Sequence, residues 1–96
     1  MRASRKDCDN VTASIEAIAK DMGLLPAAAT LSYVPGKGSY TPEVRSYNDD
    51  GYTLRHVSFL PEFQRGYKTT MTEAYLMLRA TDIALRAAAG QLKGLQ

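Results

Sequence analysis

Two turn signals divide the middle of the chain, and they constrain its fold more than any other feature. "PGKG" at residues 35–38 and "NDDG" at residues 48–51 separate three stretches rich in β-branched and aromatic residues: "AATLSYV", "SYTPEVRSYN" and "YTLRHVSFL". Asp50-Gly51 is a strong two-residue hairpin signal, because glycine takes positive φ at no steric cost and aspartate tolerates it well. With that pair at one tip, Val44 falls opposite Val57 and Pro42 opposite Phe59. With residues 35–38 at the other tip, Tyr33 falls opposite Tyr40 and Leu31 opposite Pro42. Side chains alternate faces along a strand. One face then collects Ala29, Leu31, Tyr33, Tyr40, Pro42, Val44, Val57 and Phe59. The other collects Thr30, Ser32, Thr41, Glu43, Arg45, Tyr47, Tyr52, Leu54, His56 and Ser58. Two independently placed turns thus agree on one apolar face, which predicts a three-stranded antiparallel meander, packed on one side and wet on the other. The strands are expected over about residues 29–34, 39–48 and 52–60. Pro42 cannot donate to a ladder, so its strand is expected to bulge or fray there.

Helical periodicity flanks this region. Ser4 and Asp7 have capping-box spacing. Cys8, Val11, Ile15, Ile18 and Met22 then form an apolar stripe, Glu16 and Lys20 pair on the other side, and Gly23 with Pro26 stops the element. This predicts a helix over residues 5–22. A second capping box, Thr70 to Glu73, opens a helix expected over residues 71–89, stopped by Gly90 and followed by a frayed tail at 91–96. Its polar stripe is narrow: Arg79, Asp82, Arg86 and Lys93. Its apolar arc is wider than one sheet contact needs, which suits contact with both the sheet and the first helix, or a homodimer through the last helix. The expected fold class is α+β in the order α-β-β-β-α, with both helices packed on one face of the sheet as a single domain over residues 1–96.

Composition excludes several classes of function. A chain of 96 residues supports one core, burying roughly 60–65% of its unfolded surface. The net charge of +2 is the small difference between 12 basic and 10 acidic residues, which is no strong nucleic-acid signature and argues against an acidic DNA mimic. The one cysteine cannot form an internal disulfide, which fits a reducing compartment and a cytoplasmic location. No apolar run is long enough to span a membrane, and the basic N-terminus "MRASRKDCDN" has no apolar segment behind it to read as a signal peptide.

The chemistry-bearing residues do not converge. "VPGKGS" lacks the upstream glycine and the hydroxyl after lysine that a phosphate loop needs, so it reads as a turn. One cysteine and one histidine do not make a zinc site. Cys8 falls on the buried stripe, where a nucleophile is not wanted. His56 lies on a half-exposed strand and has only Glu43 as a same-face carboxylate. Asp49 and Asp50 are explained by turn chemistry. No enzyme and no cofactor is expected. What survives is the wet sheet face, carrying Arg45, Tyr47, Tyr52, Leu54 and His56, with Arg65 and Lys68 at its rim. Tyrosine and arginine anchor interfaces more than most residue types, and they also stack on bases and contact phosphates. The expectation is a partner-binding module. Nucleic-acid binding through Arg45, Arg55, Arg65 and Lys68 is the alternative.

Two resemblances accompany these residues. The order α-β-β-β-α is similar to a double-stranded-RNA-binding domain, whose last helix begins with a glycine-containing turn and phosphate-gripping lysines. Gly66 and Lys68 match that pattern, whereas Thr69, Thr70, Met71 and Thr72 stand where further lysines belong, and "NDDGY" is acidic. The segment "GYKTTMTEAYLMLRATDIAL" resembles the end of many small bacteriophage-encoded proteins. That resemblance implies a viral or mobile-element accessory protein that inhibits a host protein complex, with anti-CRISPR and other host defence evasion as examples.

Overall fold

The computed structural model describes residues 2–36, 42–48, 57, 59–61 and 69–94. It is an α+β structure in which, among the described residues, two helices accompany a two-stranded antiparallel sheet. The order is α1 (Arg5–Asp21), β1 (Thr30–Val34), β2 (Glu43–Tyr47) and α2 (Met71–Gly94).

Helix α1 begins and ends for local reasons. The Ser4 hydroxyl accepts from the Asp7 amide at 3.2 Å, and the Asp7 carboxylate accepts from the Ser4 amide at 2.8 Å. Two of the amide donors orphaned at a helix start are thereby satisfied reciprocally. At the other end Gly23 adopts φ +75°, its amide donating to Lys20 at 3.1 Å and that of Leu24 to Ala19 at 2.8 Å. This pair of bonds closes the last carbonyls, and it requires a left-handed residue that glycine supplies without strain.

The β1–β2 register pairs Leu31 with Ser46, Ser32 with Arg45 and Tyr33 with Val44. The tight register expected around residues 35–38 is therefore displaced: Tyr33 meets Val44 instead of Tyr40, and the connection spans residues 35–42. A displacement of four residues is even, so every side chain keeps its face and the hydrophobic pattern alone does not distinguish the two registers. Pro42 does. In the tight register it sits inside the ladder, whereas in the observed one it lies just before β2 and owes the sheet no donor. The inner face holds as expected, with Leu31 and Tyr33 buried and Val44 packed against the core.

Most of the third strand expected over 52–60 lies outside the described residues. Its end differs from expectation: Val57, Phe59 and Leu60 lie in no strand, and the Leu60 amide donates to the Val57 carbonyl at 3.2 Å in a turn. Val57, Phe59 and Leu60 still pack against the core.

Among the described residues, α1 packs on both α2 and β1. Contacts run from Ala3 with Thr72 to Ser14 with Asp82 and Arg86, so the helices lie side by side and point the same way. Cys8, Ile15, Ala19, Ala74 and Leu78 are fully enclosed between them and the sheet. Helix α2 also runs past Gly90, so the stop expected there does not occur and residues 91–94 are helical. One interior glycine costs only about 1 kcal/mol relative to alanine, and the alanine, glutamine, leucine and lysine around it favour the helix.

Candidate functional site

The outer face of the sheet is built by strand alternation. Glu43, Arg45 and Tyr47 stand at i, i+2 and i+4 on β2, across from Val34, Ser32 and Thr30 of β1. Arg45 is exposed and Tyr47 half-buried. The Arg45 Nε donates to Glu43 Oε1. That hydrogen bond, followed by one to Tyr47, holds the guanidinium charged more firmly than usual. The result is a surface arginine paired with Glu43, on the same face as Tyr47. The structure thus brings Arg45 and Tyr47 together. Tyr52, Leu54, His56, Arg65 and Lys68, the other residues expected at this face, lie outside the described residues.

The second feature is a cleft of about 230 Å³ between the helices, lined by Asp7, Asn10 and Ser14 of α1 and by Tyr75, Arg79 and Asp82 of α2. Asp82 is 7% exposed. Its Oδ1 accepts from Ser14 Oγ at 2.9 Å and from Arg86 Nε at 3.2 Å, and the Arg86 guanidinium also donates to Ser14 Oγ at 2.6 Å. The sequence pattern puts Asp82 in a solvated stripe with Arg79, Arg86 and Lys93; the fold places it against α1 as an interhelical clip. The signal was present in the spacing, because Ala74, Leu78, Asp82, Leu85 and Ala89 form one buried line. Glu16 was likewise legible only as the partner of Lys20. It keeps that partner at 3.4 Å and also accepts from the Leu31 amide at 2.6 Å, which ties the outer edge of β1 to α1.

Cys8 and Tyr33 are shielded from solvent. Cys8 is fully buried, and burial pushes its thiol above the ordinary range, the opposite of what an activated nucleophile requires. Burial, with the neighbouring Cys8, pushes Tyr33 up to about 12. Among the described residues no group of three or more His, Cys, Asp or Glu side chains could hold a metal ion, and no helix is long and apolar enough to cross a membrane.

The outer side of α2 is the third feature. Leu76 and Ile83 are 55% and 57% exposed, and Met77 is 38% exposed. Ala80, Ala84 and Ala87 are exposed beside them. The wide apolar arc is therefore only half used by the core. Comparison with family models, with curated proteins and with solved structures finds no match for this chain.

Proposed function

We propose that this chain is a non-enzymatic binding module that occupies a surface on a partner protein through the outer face of its sheet. The observation that carries this reading is the Glu43–Arg45–Tyr47 row, a preorganised arginine beside an aromatic ring. These two residue types concentrate binding energy at interfaces, and holding the side chain in place beforehand reduces the entropy lost on association. A third strand drawn from residues 52 to 56 would extend the face with Tyr52, Leu54 and His56. The partner is read as a host protein complex, for example a CRISPR or other defence component, inhibited by a phage or mobile-element accessory protein in the host cytoplasm. That step rests on the resemblance of residues 66–85 to small phage proteins.

The test is capture of the partner from host lysate, treated with nuclease, by the unaltered chain and by Tyr47→Ala and Arg45→Glu. Each substitution is expected to weaken capture about thirtyfold, the loss typical of an interface anchor. If both leave capture and cellular activity unchanged, the site is elsewhere. If capture vanishes with nuclease and binding falls steeply with salt, the partner is a nucleic acid.

A further inference from the structure

The cleft between the helices holds side chains that the clip and the cap leave unspent. Asp82 is 7% exposed. Its Oδ1 takes both donors of the clip, Ser14 and Arg86, and no described residue donates to its Oδ2. No buried side-chain oxygen or nitrogen among the described residues lacks a partner. Oδ2 therefore reaches solvent, and it does so where Asp82 lines the cleft. Asn10, Tyr75 and Arg79 also line the cleft, and none of them has a hydrogen-bond or ion-pair partner among the described residues. Opposite charges three residues apart on a helix commonly pair. Here the clip turns Asp82 toward α1, and Arg79 is left open beside it.

The helices run side by side in one direction, so these groups follow one another along the cleft. Tyr75 lies at the end near Asp7, Arg79 comes next with Asn10 across from it, and Asp82 follows with Ser14. At 1.5 Å of rise per residue, Arg79 and Asp82 stand about 4–5 Å apart along the axis, and Tyr75 and Asp82 about 10 Å. Charge and size choose the ligand. A simple cation meets Arg79, and a simple anion meets Asp82 and Asp7. A molecule carrying both charges on neighbouring atoms satisfies both ends. The volume of about 230 Å³ falls below the roughly 300–1,000 Å³ of drug-sized sites, so the molecule is small. We infer that the cleft binds a free α-amino acid with an aromatic or large apolar side chain. Its ammonium donates to Asp82 Oδ2, its carboxylate accepts from Arg79 and the Asn10 amide, and its side chain lies over Val11 toward the Tyr75 ring. Asp7, fixed at that end by the Ser4 amide, rejects an acidic side chain. This site is separate from the sheet face and adds small-molecule binding to partner binding.

The test titrates the full chain with four probes: L-phenylalanine, phenethylamine (which lacks the carboxylate), 3-phenylpropionate (which lacks the ammonium) and L-glutamate. Binding is read by calorimetry and by amide chemical shifts, with circular dichroism of each variant as the folding control. Phenylalanine is expected to bind with a Kd of about 1 mM or below, and each of the other three at least about tenfold more weakly. The shifts should fall on residues 7–14 and 75–82. Arg79 is exposed and unpaired, so Arg79→Gln should keep the fold, weaken phenylalanine about tenfold and leave phenethylamine unchanged. Asp82→Asn should weaken phenylalanine and leave 3-phenylpropionate unchanged. Tyr47→Ala should leave amino-acid binding untouched, and Arg79→Gln should leave partner capture untouched, so the two sites fail independently. No binding of phenylalanine up to about 10 mM overturns the inference. So does a probe with a single charge that binds as tightly as phenylalanine, or an Arg79→Gln chain that binds phenylalanine like the unaltered one.

Discussion

Removing the Ser14 hydroxyl from the interhelical clip is expected to destabilise the fold out of proportion to the atom lost. Asp82 is nearly enclosed, and its Oδ1 accepts from two donors, Ser14 Oγ at 2.9 Å and Arg86 Nε at 3.2 Å. A hydrogen bond to a charged group contributes about 1.5–3 kcal/mol, so Ser14→Ala should cost about that much. In a domain of this size each kcal/mol lowers the melting temperature by about 4–8 °C, which gives a fall of roughly 6–24 °C. Arg86 is half exposed, with 52% of its side chain accessible. Arg86→Met keeps the stem and should therefore cost only about 1 kcal/mol, since water partly replaces the guanidinium. The double variant leaves a buried carboxylate without either donor. It should lose more than the sum of the singles, by about 0.5–3 kcal/mol. Asp82→Leu removes the charge together with its need for donors and should lie within about 1 kcal/mol of the unaltered chain, as apolar replacements of buried ionic groups often do. Urea and thermal unfolding followed by circular dichroism measure all four. A Ser14→Ala cost within about 0.5 kcal/mol of zero, with strictly additive losses in the double variant, would refute the clip and mean that Asp82 is solvated.

Gly23 and Gly90 should respond in opposite directions to alanine. At Gly90 an added Cβ meets nothing within 4 Å, so Gly90→Ala should stabilise α2 by about 0.5–1 kcal/mol in urea unfolding. At Gly23, with φ +75°, Gly23→Ala should cost about 1–2 kcal/mol by the same measurement, because Cβ opposes the left-handed conformation. The Asp7 carboxyl is held below its ordinary value of 3.8 by the Ser4 amide and then the Ser4 hydroxyl. Its stabilising contribution is therefore present above pH 3.8 and lost as pH falls through the lower folded value, and Ser4→Ala, which removes the hydroxyl and keeps the amide, should reduce that acid limb only in part. Tyr33, raised to about 12, should ionise well above the ordinary tyrosine range in an absorbance titration of the folded chain. An unfolded tyrosine loses its proton near pH 10, so the folded state should lose stability between about pH 10 and 12, and Tyr33→Phe should remove that loss.

What the sequence determined by itself is local. Ser4, Asp7 and Gly23 bound α1 through contacts within four or five residues of one another, and such contacts form wherever the helix forms. Strand alternation settled which face of β1 and β2 turns inward, because a parity error would bury Arg45 and expose Leu31. Distance along the chain marks where that legibility ends. The β1–β2 register stayed open by an even number of residues until Pro42 and the packing of Val44 chose between alternatives with the same parity. Gly90 reads as a stop in isolation but is carried by a helix already held in place at Ala74, Leu78 and Leu85. Asp82 reads as a surface charge beside Arg86 until α1 is laid against α2 and Ser14 reaches it. The outer side of α2 is the clearest case. Leu76 and Ile83 are as apolar as Leu78 and Leu85, and only tertiary packing decides which part of the wide apolar arc is covered, since α1 offers a single stripe and can bury only one.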